Sequence, residues 1–533
     1  MRKLGIAGSK RRILFFCLAA TILLCLAPPY FTNKKRNKIL LIGLDGASWK
    51  IITPLVSQGK LPNIKHLLEV GCQGKLETLE NPLSDIVWTT VITGKSPELH
   101  GITSMLMADP YTKELIPPNS NLRKVKALWN ILSGYRKKVG IVSYRVSWPA
   151  EKVNGIMISD RAGPGTYFSS LYAQPPFSSF CTVEMFRGFR GNNSFNRQLR
   201  EDTVWIFERD NFMTNVAEYL YKNNKFDFFC LYLVGIDGMS HYYWKYMFPD
   251  SQDVSPDEIS RYKDVISDYY IWCDSVIGKL LRIADNNTTV IIVSDHGFMT
   301  KDPKARPYVF SKIDTLLEAA GIKEYNINSK EVKLLDPDQE RPWEFKKNIR
   351  IIGDISEQEF NAVRENAKNV LKNVRVEETG VHLFHMLDDT QAGFIFEMDR
   401  SCAQQNEHHI LIGTKEYELS YFLTKNAHSG WHDPDDAIII MSGKNIRQRQ
   451  QLKNASIYDI TPTLLHLLDL PVAKDMQGNV LTGAIDPKFL EKRPARYVDT
   501  YENKKPERAP KPIRSPEDEK IIKERMRSLG YIN

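Results

Sequence analysis

Four short stretches of the chain each set a carboxylate or an imidazole beside an apolar run. "LLIGLDG" ends on Asp45, "LYLVGIDGMSH" delivers Asp237 and His241, and "VIIVSDHG" delivers Asp295 and His296. "HSGWHDPDD", just before "AIIIMS", offers His428 and His432. Taken singly, an Asp at a strand end more often caps the next helix, and a lone His is more often a satisfied core or surface residue. Three Asp with three or four His at one sheet edge are not explained by capping. Mixed oxygen and nitrogen donors suit Zn²⁺, with Mn²⁺ as a substitute. Six or seven such donors exceed one tetrahedral site and suit two ions, an arrangement that can clamp an in-line displacement at phosphorus.

A nucleophile for that chemistry has to come from elsewhere, and "NPLSDIVWTTVITGKSPELHGI" (81–102) is the stretch that offers one. Ser84 stands at the start of a helix-prone run, so it reads either as an N-cap or as a nucleophile, and the two roles do not exclude each other. A free Ser hydroxyl is a weak nucleophile near neutral pH, and no Ser-X-X-Lys or Gly-X-Ser-X-Gly context activates this one. A neighbouring divalent ion lowers its pKa, and amides at the start of a helix can hold a phosphoryl oxygen. In the same stretch Trp88 reads as core. Lys95 reads as meeting solvent or a phosphate, and His100 as a turn residue or a support for the site.

These residues need a frame that brings strand ends together. Apolar β-branched runs occur at "KILLIGL" (38–44), "VGIVSY" (139–144), "GIMIS" (155–159), "FDFFCLYLV" (226–234), "TVIIVS" (289–294) and "AIIIMS" (437–442). Helical patterns alternate with them, including "LPNIKHLLEVG", "KVKALWNILSGYRKK" and a long stretch opened by Ser255. Continuous apolar strands covered on both faces predict a doubly wound α/β fold with a mostly parallel sheet, whose ligands gather at the strands' carboxyl ends. Asp237 and His241 share one face if helical. Asp295 and His296 are neighbours, so both reach one site only where the strand ends and bends, with Gly297 supplying conformational freedom.

The chain has 533 residues, enough for a large domain with insertions. One domain is expected over 38–485, with insertions that cap the sheet at about 160–206 and 300–427, then a tail at 486–533 ending in a helix. A net charge of +8 comes mostly from the two ends, so it does not argue for a nucleic-acid-binding surface. Seven scattered Cys form neither a disulfide framework nor a structural zinc cluster. The apolar run 13–27 follows a basic segment and reads as an uncleaved membrane anchor with the rest exported, so 1–37 is a signal-anchor and its basic flank. Asn192, Asn287 and Asn454 are glycosylation candidates.

The successive blocks "LLIGLDGASWKIITPLVSQGKLPNIKHLLEVG", "NPLSDIVWTTVITGKSPELHGI", "LVGIDGMSHYYW", "VIIVSDHGF", "SGWHDPDDAIIIMSG" and "YDITPTLLHLLDLPVAKDMQGNVL" resemble the type I phosphodiesterase/nucleotide pyrophosphatase family of the alkaline phosphatase superfamily. The resemblance runs from about 38 to 482. It implies an alkaline-phosphatase-like doubly wound fold, two zinc ions and a Ser or Thr nucleophile that becomes phosphorylated. On its residues, Asp45, Ser84, Asp295 and His296 hold one metal, while Asp237, His241 and His432 hold the other. His432 is preferred over His428 because the family's last ligand follows Gly-X, here "GWH". Family members mostly carry Thr at the nucleophile; Ser84 is chemically equivalent, and Asp85 directly after it departs from the pattern.

The expected activity is phosphodiester hydrolysis of a small-molecule or lipid-like phosphate ester through a phosphoseryl intermediate. The rivals are a phosphomonoesterase, a sulfatase or a phospho-group transferase of the same superfamily, and a non-catalytic binding module. A sulfatase would need Cys or Ser followed by X-Pro-X-Arg, which "SDIVW" lacks, and a transferase would normally show several membrane spans.

Overall fold

The structure, a computed structural model, describes residues 37–502 except 112–114, 163–170, 177–194, 196–197, 250–253, 302–307, 311, 337–345, 400–407 and 426–427. The apolar run 13–27, the C-terminal helix of the tail, Asn192 and most of the 160–206 insertion therefore lie outside the described residues. No helix among the described residues is long and apolar enough to cross a membrane.

The apolar runs become the central sheet, close to the expected boundaries. Its strands in chain order are β1 (Lys38–Leu44), β2 (Cys72–Glu77), β3 (Val139–Tyr144), β4 (Gly155–Ser159), β5 (Ala173–Gln174), β6 (Phe228–Leu233) and β7 (Thr288–Val293). Outside this sheet, β8 (Gly297–Thr300) pairs antiparallel with β9 (Gly430–Asp433) from the far side of the long insertion, then β10 (Ala437–Gly443) and β11 (Gln450–Ser456) return to the sheet. The spatial order is β11-β2-β10-β7-β1-β6-β3-β4-β5. β1 pairs parallel with both β6 and β7, β6 with β3, and β3 with β4. β10 runs antiparallel between β7 and β2, and β5 antiparallel at the far edge.

Alternate side chains of one strand bury into two different cores, which is why the runs are apolar without interruption. From β1, Leu40, Ile42 and Leu44 join one cluster, whereas Ile39 and Leu41 join the other. The first cluster is closed by α1 (Trp49–Ser57), α3 (Val204–Asn223), α4 (Gly235–Met247) and α5 (Val265–Ile283). The second is closed by α2 (Ser84–Thr93) and α6 (Ile460–Leu467). Helices on both faces of a mostly parallel sheet make the architecture doubly wound.

Residues Ile313 to Leu423 of the long insertion pack a separate core of their own. It holds a five-stranded antiparallel sheet and the helix Glu357–Lys372, opened by the reciprocal Ser356–Glu359 cap.

Candidate functional site

Three adjacent parallel strands, β7, β1 and β6, end at the same edge, and each hands over its polar residues there. After β1 the chain turns at Gly46, whose φ of +70° and contact with the Phe298 ring leave no room for a side chain. After β7, Asp295 and His296 both face the site within the bend before β8. Gly297 has a different duty from the one expected: a Cβ on it would meet the Cβ of Asp436 at 2.7 Å, so it serves close packing. After β6, α4 starts at once and carries Asp237 and His241 on one face. Its first amide, Gly235 N–H, donates to Asp210 Oδ2 at 2.8 Å, and Tyr269 donates to the same oxygen at 2.9 Å. Asp210 therefore anchors the helix that presents Asp237. His432 arrives from β9, which pairs with β8 so that His432 lies opposite Phe298.

Ser84 enters from the other side as the first residue of α2. The cap position belongs to Leu83, which makes no side-chain capping bond, so the N-cap reading of Ser84 does not hold. Its hydroxyl instead faces Asp45 Oδ1 at 3.3 Å and His296 Nε2 at 3.4 Å. All ten residues of α2 are buried. Its Thr hydroxyls are consumed by back-bonding, Thr89 to the Asp85 carbonyl at 2.7 Å and Thr93 to the Thr89 carbonyl at 2.7 Å.

The imidazoles show what the cluster lacks. His296 Nδ1 faces the Gly297 carbonyl at 2.9 Å, His241 Nδ1 the Gly430 carbonyl at 3.1 Å, and His432 Nδ1 the Pro82 carbonyl at 2.8 Å. A carbonyl only accepts, so each Nδ1 carries the proton and each Nε2 turns a lone pair inward. His241 Nε2 and His432 Nε2 then lie 3.1 Å apart with no proton between them. Both are 3.3 Å from Asp237 Oδ1, a buried oxygen without a hydrogen-bond donor. Asp295 Oδ2 is buried and undonated as well, 3.3 Å from His296 Nε2. Its other oxygen accepts from Gly46 N–H at 3.1 Å, and Tyr232 donates to Asp45 Oδ2.

Undonated carboxylates and facing lone pairs are costly in a dry interior unless a cation sits among them. Burial, then the Asp295 and Asp237 charges, drive the Asp45 carboxyl well above its usual range. Burial pushes Asp295 up to about 6. Burial opposes ionisation of Asp237, and the His241 and His432 rings hold that carboxyl well below the usual range only when they carry a second proton to donate to it. His296 and His432 are pushed down to about 4, chiefly by burial. Two groups have donor atoms close enough to hold an ion: Asp237, His241 and His432, and Asp45, Asp237 and His296. The donor set fits divalent metal ions, with Asp237 common to both groups.

The other singled-out residues fall elsewhere. His428 stacks on the His241 ring with centroids 4.7 Å apart. His100 is a satisfied core residue: Ile102 N–H donates to its Nδ1 at 3.1 Å, so its Nε2–H donates to Thr90 Oγ1 at 3.1 Å. Lys95 meets neither solvent nor phosphate, because it is buried against Asp475 at 2.8 Å and Glu502 at 3.2 Å. Trp88 packs edge-on against Tyr144 and Tyr232, as expected of core.

One functional candidate escaped the sequence reading. Arg145, directly after β3, brings its Nε to 2.6 Å from Asp85 Oδ1. The signal is the same as for Asp45, a polar residue following an apolar run, but Arg is not a metal-ligand type.

A doubly wound sheet whose strand ends converge on carboxylates, imidazoles and a serine suits metal-assisted attack on an ester, and the family match makes the chain a hydrolase of phosphate ester bonds. The chain belongs to the type I phosphodiesterase / nucleotide pyrophosphatase family, whose model matches residues 39–411. That match stops short of His432. No curated protein matches. Among solved structures, human ectonucleotide pyrophosphatase / phosphodiesterase 5 is 14% identical, with 86% of this chain and 99% of that chain covered and a TM-score of 0.42. An inactive form of the murine protein, in complex with AMP, is 15% identical over 83% of this chain and 97% of its own, also with a TM-score of 0.42.

Proposed function

We propose that the chain is a metal-dependent phosphodiesterase in which Ser84 is the nucleophile and two divalent ions, most simply zinc, occupy the cluster. Asp45, Ser84, Asp295 and His296 would hold one ion, and Asp237, His241 and His432 would hold the other, with Asp237 also close enough to reach the first. The observation that carries the reading is the pair of Nε2 atoms 3.1 Å apart beside the undonated Asp237 oxygen, an arrangement that a bound divalent cation relieves. Bound there, the ions supply Lewis acidity: they lower the pKa of the serine hydroxyl and neutralise charge on the phosphoryl group.

The chain's own atoms do the rest. Ser84 Oγ donates to Asp45 Oδ1 and lies 3.4 Å from His296 Nε2, so the hydroxyl is held at the cluster. Amides in the first turn of α2 hold a non-bridging oxygen. The Oγ–P bond forms as the bond to the leaving oxygen breaks, and the proton lost by Ser84 is balanced by the one gained by the departing alcohol. Water then cleaves the phosphoseryl ester and restores Ser84. The substrate is a small-molecule or lipid-like phosphate ester, and the run 13–27 tethers the exported domain to a membrane; fractionation of the full chain into carbonate-washed membranes tests the tether.

The function is tested by turnover of bis(p-nitrophenyl) phosphate by the zinc-loaded chain, with p-nitrophenyl sulfate as the counter-substrate. Diester turnover that is abolished by chelation supports the reading. Activity that Ser84→Ala retains in full overturns it.

A further inference from the structure

We propose that Arg145, held by Asp85, binds the terminal oxygens of the phosphoryl group and gives this site a second activity, on phosphate monoesters. The inference rests on Ser84 being the nucleophile, and it gives a role to Asp85, which departs from the family pattern.

Three observations carry it. First, Arg145 follows β3 as Asp237 follows the neighbouring β6, so it belongs to the same edge of the sheet as the cluster. Second, its Nε lies 2.6 Å from Asp85 Oδ1, so the carboxylate fixes the guanidinium by charge. Asp85 is covalently next to Ser84, so whatever locates Asp85 locates Arg145 relative to the nucleophile. Third, the backbone on both sides of Arg145 is strained. Ser143 has φ of 64° and Val146 φ of 58°, a left-handed conformation that a β-branched residue rarely accepts. Such strain persists only where surrounding bonds over-determine it, and it gathers at functional sites. Here Asp160 accepts from Val146 N–H at 3.0 Å and Trp148 N–H at 2.9 Å, while Arg209 donates to Ser143 Oγ at 2.6 Å.

Exposure separates these residues from the carboxylates behind them. Ser84, Asp85 and Arg145 retain 7, 8 and 9% of their surface, whereas Asp45, Asp295 and His296 retain none. The first three lie between those fully buried groups and the more exposed Asp237, His241 and His432. The Arg145 charge also reaches Asp45, whose ionised form it favours.

The chemistry selects the ligand class. A guanidinium offers paired N–H groups that match two oxygens of one phosphoryl group. A monoester presents three charged terminal oxygens, while a diester has one of those positions blocked by its second ester group. A cation fixed beside the nucleophile therefore favours the more highly charged group. The reaction balances as for the diester: Oγ–P forms, the alcohol leaves with a proton, and water releases inorganic phosphate from Ser84.

The test uses the full zinc-loaded chain, p-nitrophenyl phosphate, bis(p-nitrophenyl) phosphate, and calorimetry with inorganic phosphate. Arg145→Ala should lower kcat/KM for the monoester about 100-fold and for the diester less than about tenfold, and should weaken phosphate binding at least about tenfold. Arg145→Lys restores the charge beside Asp85 but not the paired donors, so the monoester loss should persist at about tenfold. Equal losses on both esters with unchanged phosphate affinity, or full rescue by Lys, would overturn the proposal, as would a wild-type chain that cleaves the diester and not the monoester. If neither ester is cleaved, the hydrolase reading fails, and calorimetry alone then decides whether Arg145 binds phosphate.

Discussion

Asp237 and Asp85 each sit in the first turn of a helix at the same edge of the sheet, and their surroundings are opposite in kind. Asp85 faces the Arg145 guanidinium at 2.6 Å, so its charge is answered by the chain itself. Asp237 faces the Nε2 atoms of His241 and His432, each at 3.3 Å and each without a proton to give. One aspartate fixes a guanidinium that offers positive charge to an anion. The other completes a pocket of acceptors whose donor set fits a divalent cation. The difference teaches that a buried carboxylate is informative chiefly through what fails to donate to it.

Removing the residue that lies between these regions should have the largest effect. Ser84→Ala should cut diester turnover by about 10⁴-fold or more, with bound metal largely retained, as measured by steady-state kinetics beside metal analysis. Asp237→Asn comes next, because that carboxylate belongs to both ligand groups. It should abolish binding of both ions, whereas His432→Gln should spare the ion beside Ser84, a contrast read by metal stoichiometry after gel filtration.

Acid should blur the contrast in a definite direction. Asp295 in the metal-free site takes up its proton at about 6, while His296 and His432 resist protonation down to about 4. Metal requires the deprotonated carboxylate, so affinity should begin to fall as pH drops below about 6, by up to about tenfold per unit for each proton taken up. Metal titrations at fixed pH check this, and an affinity that stays flat to pH 4 would contradict it. The smallest catalytic effect should come from His428→Phe, which keeps a ring stacked on His241 and lies outside both ligand groups. Its metal content should match the wild type. His100→Ala should instead cost about 2–4 kcal/mol in urea unfolding, since it strands a buried amide and leaves a void, with kcat/KM of the folded enzyme near normal.

Much of this arrangement was legible in the chain because strands buried on both faces have no polar residues until they end. "KILLIGL" and "VGIVSY" coincide with β1 and β3, and the residues after such runs mark the site edge. The four-residue spacing of Asp237 and His241 put both on one helix face, as α4 does. What could not be read locally was partnership across the fold. Ser84 looked like a cap because capping is a local pattern, yet Leu83 takes that position and the hydroxyl turns towards residues far along the chain. Lys95 looked exposed, but its partners lie 380 and 407 residues away. Gly297 is demanded by the approach of Asp436, which no spacing near it reveals. Arg145 was overlooked for its type, although its place after an apolar run was as plain as that of Asp45.

The central claim is that the acceptor cluster holds two divalent ions. Metal analysis of the chain incubated with zinc and passed through gel filtration tests it most directly. The account predicts about two ions per chain in the wild type and none in Asp237→Asn. A wild-type chain that retains no metal, or an Asp237→Asn chain that retains as much as the wild type, would contradict it.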